Sequence, residues 1–386
     1  MNRDELDGLL EAMIKSAEGI SDLLFVAGRP MQVETQGNLK PFVYKQADSV
    51  LTSERIQRLA EVVMSNNPRL LQDLKEHGSC DCGYTLKSAC RFRANIYMEN
   101  GNYAMVLRHL RPLIPTFDSL HLGASFREII KETSGIVFVT GGTGVGKTTT
   151  IAAMLNEINK VRAIHVVTLE DPVEIIITPI KATFSQRELG RDFFSFQQGM
   201  RAAMRQAPKV IFIGEIRDRE TMEIVLNAGE TGHLVFSTLH TPSAPMTINR
   251  IIGMFGTEEE TQVRERLAGA MRYIISQRLV PTCTGGRLLA TEMMGSSLRT
   301  REAILLGENE SRRLDDIIEA GSVNGWHSFE QSLYKAYEQG LITDETAKLY
   351  CSNKMKMIQR IDARPVPRSR MTSDTESKSL KMTAKD

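Results

Sequence analysis

The sequence predicts an α/β protein, preceded by a smaller α+β block and followed by a mainly helical region. Three observations carry this expectation. Residues 136–139, 164–169, 210–213 and 233–238 are largely apolar runs without polar alternation, the pattern of strands buried on both faces. Helical patterns fill the intervals between the runs. A glycine-rich loop follows the first run, and a helix-like stretch over 149–160 follows the loop. Strands of this kind alternating with helices imply a parallel sheet.

The opening block has another texture. Leu6, Leu9, Leu10, Met13, Ile14 and Ala17 recur at helical spacing, so the chain starts with an amphipathic helix of about four turns. Gly19 ends it, and Leu23-Leu24-Phe25-Val26 reads as a strand. A turn at Gly28-Arg29-Pro30, alternation over 31–33 and the polar point Gly37-Asn38 indicate a hairpin. Residues 52–64 look helical, and 84–86 and 91–97 look like strands. Pro112 and Pro115 punctuate a connection. The expected organisation is an N-terminal domain over 1–111, a linker over 112–117, the α/β core over 118–295 and a helical region over 296–361. Residues 362–386 are rich in Ser, Thr and mixed charge and lack aromatic side chains. Such a segment cannot bury enough apolar surface to offset its ordering entropy and is expected to be disordered.

Composition removes several function classes. With 41% hydrophobic and 25% charged residues, the chain is not collagen-like, coiled-coil or wholly disordered. Lys and Arg total 48 against 47 acids, so the basic excess of a protein that coats nucleic acid is missing, and no nucleic-acid partner is expected. No stretch reaches the roughly 18 apolar residues of a transmembrane segment. The start, Met1-Asn2-Arg3-Asp4-Glu5, is unlike a signal peptide, so a cytoplasmic location is expected. Five cysteines, at 80, 82, 90, 283 and 351, argue by their odd number against a disulfide framework. Cys80 and Cys82 are expected to share a strand face rather than join Cys90 at a metal, because Cys-x-Cys is not the usual zinc spacing.

The strongest motif is Gly141-Gly142-Thr143-Gly144-Val145-Gly146-Lys147-Thr148, a full G-x4-G-K-[ST] between an apolar strand and a helix. Its glycines let successive backbone N–H groups surround phosphate oxygens. The positive end of the following helix, which Thr149 enters, adds a favourable field. Lys147 is expected to reach the β- and γ-phosphates, and the Thr148 hydroxyl to join a Mg2+ shell. A nucleoside triphosphate is the expected ligand.

Glu170 and Asp171, in Thr168-Leu169-Glu170-Asp171-Pro172-Val173-Glu174, stand at the carboxyl end of the second run, where parallel sheets face their ligand. They are candidates to hold Mg2+ or position a water; the plain alternative is an Asp-Pro surface turn. Val210-Ile211-Phe212-Ile213-Gly214-Glu215 looks like a Walker B strand with glycine in the usual aspartate position. Glu215 is the best candidate to orient and activate the attacking water. His233 and His240 flank the last run and are two of only seven histidines. His240, past the strand, is placed like a γ-phosphate sensor, whereas His233 is equally well read as structural.

Together these four elements resemble the secretion-superfamily ATPases that power type II secretion and type IV pili, over most of residues 19–335. The Walker A loop, an "Asp box" at 170–174, the Gly-Glu Walker B and a "His box" at 231–240 follow in that family's order. A glycine in Walker B is normal there. Gly19-Ile20-Ser21-Asp22-Leu23, Ser185-Gln186-Arg187-Glu188, Ser276-Gln277-Arg278-Leu279 and His327-Ser328-Phe329-Glu330-Gln331 are similar to segments of its retraction branch, the PilT/PilU-like ATPases. The resemblance implies ATP as the nucleotide, a RecA-like P-loop ATPase core, a PAS-like N-terminal domain and a homo-hexamer. It further implies docking on an inner-membrane pilus platform protein, which would hold the chain at the membrane periphery. It also implies trans-acting arginines that stabilise transition-state charge, mapping to Arg93 in Arg91-Phe92-Arg93 and to Arg108. An arginine usual near Asn100-Gly101 is missing; Arg111 is its candidate replacement, and a salt-bridged role stays open for Arg91 and Arg111.

Two further departures stand out. A late element reads Ser297-Leu298-Arg299-Thr300-Arg301-Glu302, with charges where the retraction branch has apolar residues, and Ala207-Pro208-Lys209 replaces Asp-Pro-Asp. Extension and secretion members usually carry a long extra N-terminal region and a four-cysteine zinc insert. Here Cys283 is the only cysteine between the Walker A loop and Cys351, which favours retraction. The expected function is a Mg2+-dependent ATPase driving pilus retraction, alone or with a sister retraction ATPase. The alternatives are an extension or type II secretion ATPase, a DNA-transfer ATPase, and a non-hydrolysing nucleotide-gated adaptor.

Overall fold

The computed structural model describes residues 2–44, 50–87, 90–110 and 114–363. Residues 111–113 and 364–386, and with them the replacement arginine, a third of the linker and nearly all of the expected disordered tail, lie outside the described residues.

The first helix, α1 (Arg3–Lys15), starts on a capping box between Asn2 and Glu5. Its Leu6, Leu9, Leu10 and Met13 are fully buried. Strands β1 (Ile20–Phe25), β2 (Met31–Thr35) and β3 (Asn38–Phe42) follow. Gln36 and Gly37 join the last two with positive φ at both positions (52° and 77°), the turn that matches strand twist in a two-residue hairpin. Next come α2 (Ser53–Val63), capped by Thr52, and α3 (Pro68–His77), capped by Asn67. Finally β4 (Ser79–Thr85), β5 (Arg91–Glu99) and β6 (Asn102–Leu110) complete an antiparallel sheet in the order β3-β2-β1-β6-β5-β4. Cys80 and Cys82 lie on β4, with the Cys80 thiol against the Met64 sulfur.

The second sheet is built from β7 (Gly135–Thr140), β8 (His165–Glu170), β9 (Thr183–Glu188), β10 (Val210–Ile213), β11 (Leu234–Leu239), β12 (Met271–Pro281) and β13 (Arg287–Gly295). Its order is β13-β12-β7-β11-β10-β8-β9. Helices α4 (Ala124–Ile129) and α5 (Lys147–Val161) cover one face, packing Ile129, Ile151, Met154 and Ile158 against Val137, Val139, Phe212 and Phe236. On the other face α6 (Phe196–Ala203), α7 (Arg219–Glu230), α8 (Ala244–Ile252) and α9 (Glu260–Ala270) meet Ile136, Phe138, Ile211, Ile213 and Val235. Every residue of β7, β10 and β11 is therefore buried, which explains their unbroken apolar runs. The four expected strands are parallel, but the sheet as a whole is mixed. β12 joins β7 in parallel and β13 returns antiparallel to it, because the connection at 282–286 is a short hairpin with Gly285 and Gly286 at positive φ.

Helices α10 (Leu298–Leu306), α11 (Leu314–Ala320), α12 (Phe329–Glu338), α13 (Asp344–Tyr350) and α14 (Lys354–Asp362) finish the described chain. Phe329, Leu333 and Met357 pack on Val280 and Ala290 of the β12–β13 hairpin. Arg278 of β12 lies 3.7 Å from the centre of the Phe329 ring and donates to the Tyr350 carbonyl and the Ser352 hydroxyl. Trp326 is buried in the seam beside Gly295 and Gly321, where an added Cβ would stand 2.4 Å from its ring. Phe117, inside the expected linker, is also buried and meets Phe126 edge-on. Among the described residues no helix is long and apolar enough to cross a membrane.

Candidate active site

The chain leaves β7 through Gly141, whose φ is 138° and whose added Cβ would lie 2.6 Å from the Gln277 carbonyl oxygen. Only glycine lets the loop depart so close to β12. Gly146, at φ 89°, ends the loop and begins α5 without a side-chain cap, which leaves the first-turn N–H groups available to an anion. Lys147 folds back, its Nζ donating to the Gly141 and Gly142 carbonyls at 2.8 Å each. Burial lowers its pKa, opposed by the charges of Glu215 and Glu174. From behind, Gln277 Nε2 donates to Thr150 Oγ1 at 2.7 Å and Thr140 Oγ1 donates to Ser276 Oγ at 3.1 Å.

Glu170 ends β8 only 5% exposed, accepting from Thr168 Oγ1 at 2.7 Å and Gln186 Nε2 at 3.4 Å. Burial pushes its pKa up to about 7 despite those two bonds. Burial raises the next carboxyl, Asp171, as well, and the charges of Arg217 and Arg93 oppose the shift. At the tip of β10 the Gly214 N–H donates to the Leu169 carbonyl, and its own carbonyl accepts from Thr238 Oγ1 at 2.6 Å. These bonds hold the turn from which Glu215 projects. Arg217 Nη2 donates to the Glu215 carboxylate, whose other oxygen lies 3.5 Å from His240 Nε2.

The roof of the site comes from the N-terminal sheet. Arg93 of β5 and Arg108 of β6 are direct cross-strand partners, so they arrive as a unit. Asp81 lies 3.6 Å from Arg93 Nε, and Arg108 Nε donates to Asp22 at 2.9 Å. A cleft of about 390 Å³ brings these two arginines together with Thr143, Gly144, Gly146, Lys147, Thr148, Thr149, Glu170, Asp171, Glu215 and His240. Gly141, Gly142 and Val145 complete the loop behind it. The arginines thus face the P-loop of their own chain, whereas the resemblance implied action in trans. His233 is not brought in: it sits at the opposite end of β11, its Nδ1 3.3 Å from the Ala228 carbonyl. Arg91 is salt-bridged to Glu188.

Sequence reasoning missed the roles of Arg217 and Gln186. Arg217 stands two residues past Glu215, just beyond the Walker B strand, and that proximity is the available signal. Gln186 reaches Glu170 only because β9 pairs with β8, and nothing local announces it.

The oxygen donors fit a Mg2+ that arrives with a nucleotide. Such an ion takes one or two carboxylates and completes its shell with phosphate oxygens and waters. The Thr148 hydroxyl and the carboxyls of Asp171 and Glu170 line the cleft beside Lys147.

A P-loop on an α/β sheet, flanked by acid-tipped strands and roofed by arginines, defines a P-loop ATP hydrolase. Residues 86–383 match the model of the type II/IV secretion system protein family. The chain is 34% identical over 336 residues to the type IV pilus retraction ATPase PilT of Pseudomonas aeruginosa, covering 86% of this chain and 94% of that one. It is 32% identical over 385 residues to the type IV pilus ATPase PilU of the same organism, covering 99% and 98%. The crystal structure of the pilus retraction motor PilT with bound ADP superposes with a TM-score of 0.82 at 37% identity, over 93% of this chain and 99% of that one. The chain belongs to the type II/IV secretion ATPase family, and within it is a PilT/PilU-like type IV pilus ATPase.

Proposed function

We propose that this ATPase is a Mg2+-dependent motor for type IV pilus retraction, working as a homo-hexameric ring on the inner-membrane platform protein, on its cytoplasmic side. Hydrolysis rests on the cleft, where Lys147, Glu215 and His240 of the α/β core meet Arg93 and Arg108 of the N-terminal sheet, and retraction is supported by the similarity to the pilus retraction ATPase PilT. Loop N–H groups and Lys147 bind the β- and γ-phosphates of ATP. Glu215 accepts the proton of the attacking water, with Arg217 and His240 holding its carboxylate in place. Arg93 and Arg108 balance the charge that spreads over the transferred phosphoryl oxygens. Mg2+, when held by Thr148 with Asp171 or Glu170, neutralises phosphate charge. Because the arginines and the P-loop belong to different sheets, loss of the γ-phosphate removes an attraction between two rigid bodies and lets them move apart. The accompanying domain limits are 1–111, 118–295 and 296–361.

The test counts surface pili in a strain deleted for this gene, with wild-type or Glu215→Gln copies restored. Excess pili without surface motility, corrected only by the wild-type copy, support a hydrolysis-driven retraction motor. Bald cells would reverse the direction and make it an assembly motor. The near-complete alignment with PilU favours a second reading, an accessory ATPase acting with a sister retraction motor. An unchanged pilus count points to that reading.

A further inference from the structure

The cleft explains Arg93 and Arg108 but leaves aside the third arginine of that sheet face, Arg91. It is 7% exposed, as deeply buried as the Glu188 it pairs with, which is 5% exposed. Arg91 belongs to β5 of the N-terminal sheet and Glu188 to the end of β9 in the ATPase sheet. The ion pair therefore crosses between the two bodies whose separation the proposed motor cycle changes. Arg91 Nη2 donates to the Glu188 carboxylate and its Nε to the Val173 carbonyl, while Nη1 donates to Thr85 Oγ1 at 2.8 Å. Glu188 in turn accepts from the backbone N–H groups of Gly83 and Val173, both at 3.2 Å.

These contacts fall next to site residues on both sides. Val173 lies two residues past Asp171 in the loop that carries the site acids. Gly83 is the cross-strand partner of Arg93, Arg93 of Arg108, and Arg108 of Asp22. Glu188 thus grips the end of a four-residue row that contains both roof arginines. Space at the grip is also specified: a Cβ on Gly83 would come within 2.5 Å of Arg91 Nη2 and 2.8 Å of both Glu188 oxygens. A buried ion pair of this kind is poor value as a mere staple, since apolar packing stabilises as well; its best-attested use is to fix one arrangement among several. We infer that Arg91 and Glu188 are positioning residues, a charge latch that sets Arg93 and Arg108 over the P-loop in the closed arrangement of the two sheets.

The inference rests on the proposed role of those arginines in hydrolysis, so the test reads turnover and closure separately, on the full chain. The variants are Arg91→Glu, Glu188→Arg, the double reversal, and Gly83→Ala, which keeps both charges but crowds them. Steady-state ATPase assays, titration with fluorescent ADP, and hydrogen exchange over residues 79–85 and 170–174 are measured on each. The single variants and Gly83→Ala are expected to lower kcat roughly 10- to 100-fold, the scale of a misplacement near 1 Å. ADP affinity should hold within about threefold, since the P-loop is untouched. Exchange should rise in both segments, and the double reversal should recover both turnover and protection. Single variants with unchanged kcat overturn the latch. So does a parallel fall of kcat, ADP affinity and melting temperature in every variant, the double included, which marks a support of the fold only. If the wild type does not hydrolyse ATP, it is the hydrolytic reading that fails. The exchange data then decide the latch alone: protection lost in the singles and regained in the double sustains it, and unchanged protection overturns it.

Discussion

Glu292, on β13, provides a test that avoids the proposed catalytic machinery. It is 3% exposed, and its Oε1 accepts from the Ala244 N–H at 2.7 Å and lies 3.4 Å from Ser276 Oγ. Burial raises its pKa from 4.5 to about 7, assisted by Asp315 and Glu330 and opposed by the Ala244 bond and Arg278. A carboxyl that holds its proton more tightly when folded favours the native state below the unfolded pKa, and that contribution is lost as pH rises through the folded one. Replacing it by glutamine keeps a carbonyl acceptor for Ala244 and removes the titration. At 1.36 kcal/mol per pKa unit, the wild type should lose about 2.5 kcal/mol between about pH 5 and about pH 8 that Glu292→Gln retains. Spread over the melting entropy of 386 residues, this is a gap of about 3 °C opening in favour of the variant. Thermal unfolding of both proteins at several pH values measures it. A gap that stays constant with pH, or one that opens in favour of the wild type, refutes the reasoning.

Arg93→Ala should lower ATP turnover by about a thousandfold while ADP affinity and assembly of the proposed ring hold; surviving turnover would show that the proposed role of Arg93 at the phosphates is wrong. Gly141→Ala places a methyl group 2.6 Å from a backbone oxygen at a φ of 138°. It should cost about 2–5 kcal/mol in strain and overpacking and abolish binding of fluorescent ADP, so near-normal affinity would contradict the geometry. Arg278→Ala removes the contact with Phe329 and the bonds to Tyr350 and Ser352. Hydrogen exchange over α13 and α14 should rise by about tenfold for each 1.4 kcal/mol lost, whereas unchanged exchange would mean that Arg278 does not hold these helices.

What could be read beforehand was whatever depended on neighbours in sequence. The P-loop announces itself because glycine, lysine and threonine must follow one another between β7 and α5. β10 appears at its true limits because all four of its residues are buried on both faces. Structure that depends on distant partners was hidden. β9 reads Thr-Phe-Ser-Gln-Arg-Glu, polar enough to pass for a loop, and its Glu188 is buried only by the opposing sheet. β12 carries Ser276 and Gln277 inside the core, where Thr140 and Thr150, more than a hundred residues earlier, supply partners. α3 is short and follows closely on α2, and although Asn67 and Gly78 cap it, it is not among the helices expected from the sequence. The family resemblance singles out Arg93 and Arg108 and leaves a salt-bridged role open for Arg91; the fold supplies the partner, Glu188 of the other sheet, and lines the phosphate cleft with the first two.

The seam at Trp326 has a practical consequence. The chain holds a single tryptophan beside eight tyrosines, so emission excited beyond the tyrosine absorption arises from one place, the joint between the end of β13 and the C-terminal helices. An indole wedged between two glycine backbones emits to the blue of a hydrated one. Stopped-flow mixing with ATP would therefore turn that joint into a built-in optical gauge. Colour that shifts in step with turnover would mean that the C-terminal helices ride the power stroke, and constant colour would mean that they travel as ballast with the ATPase sheet.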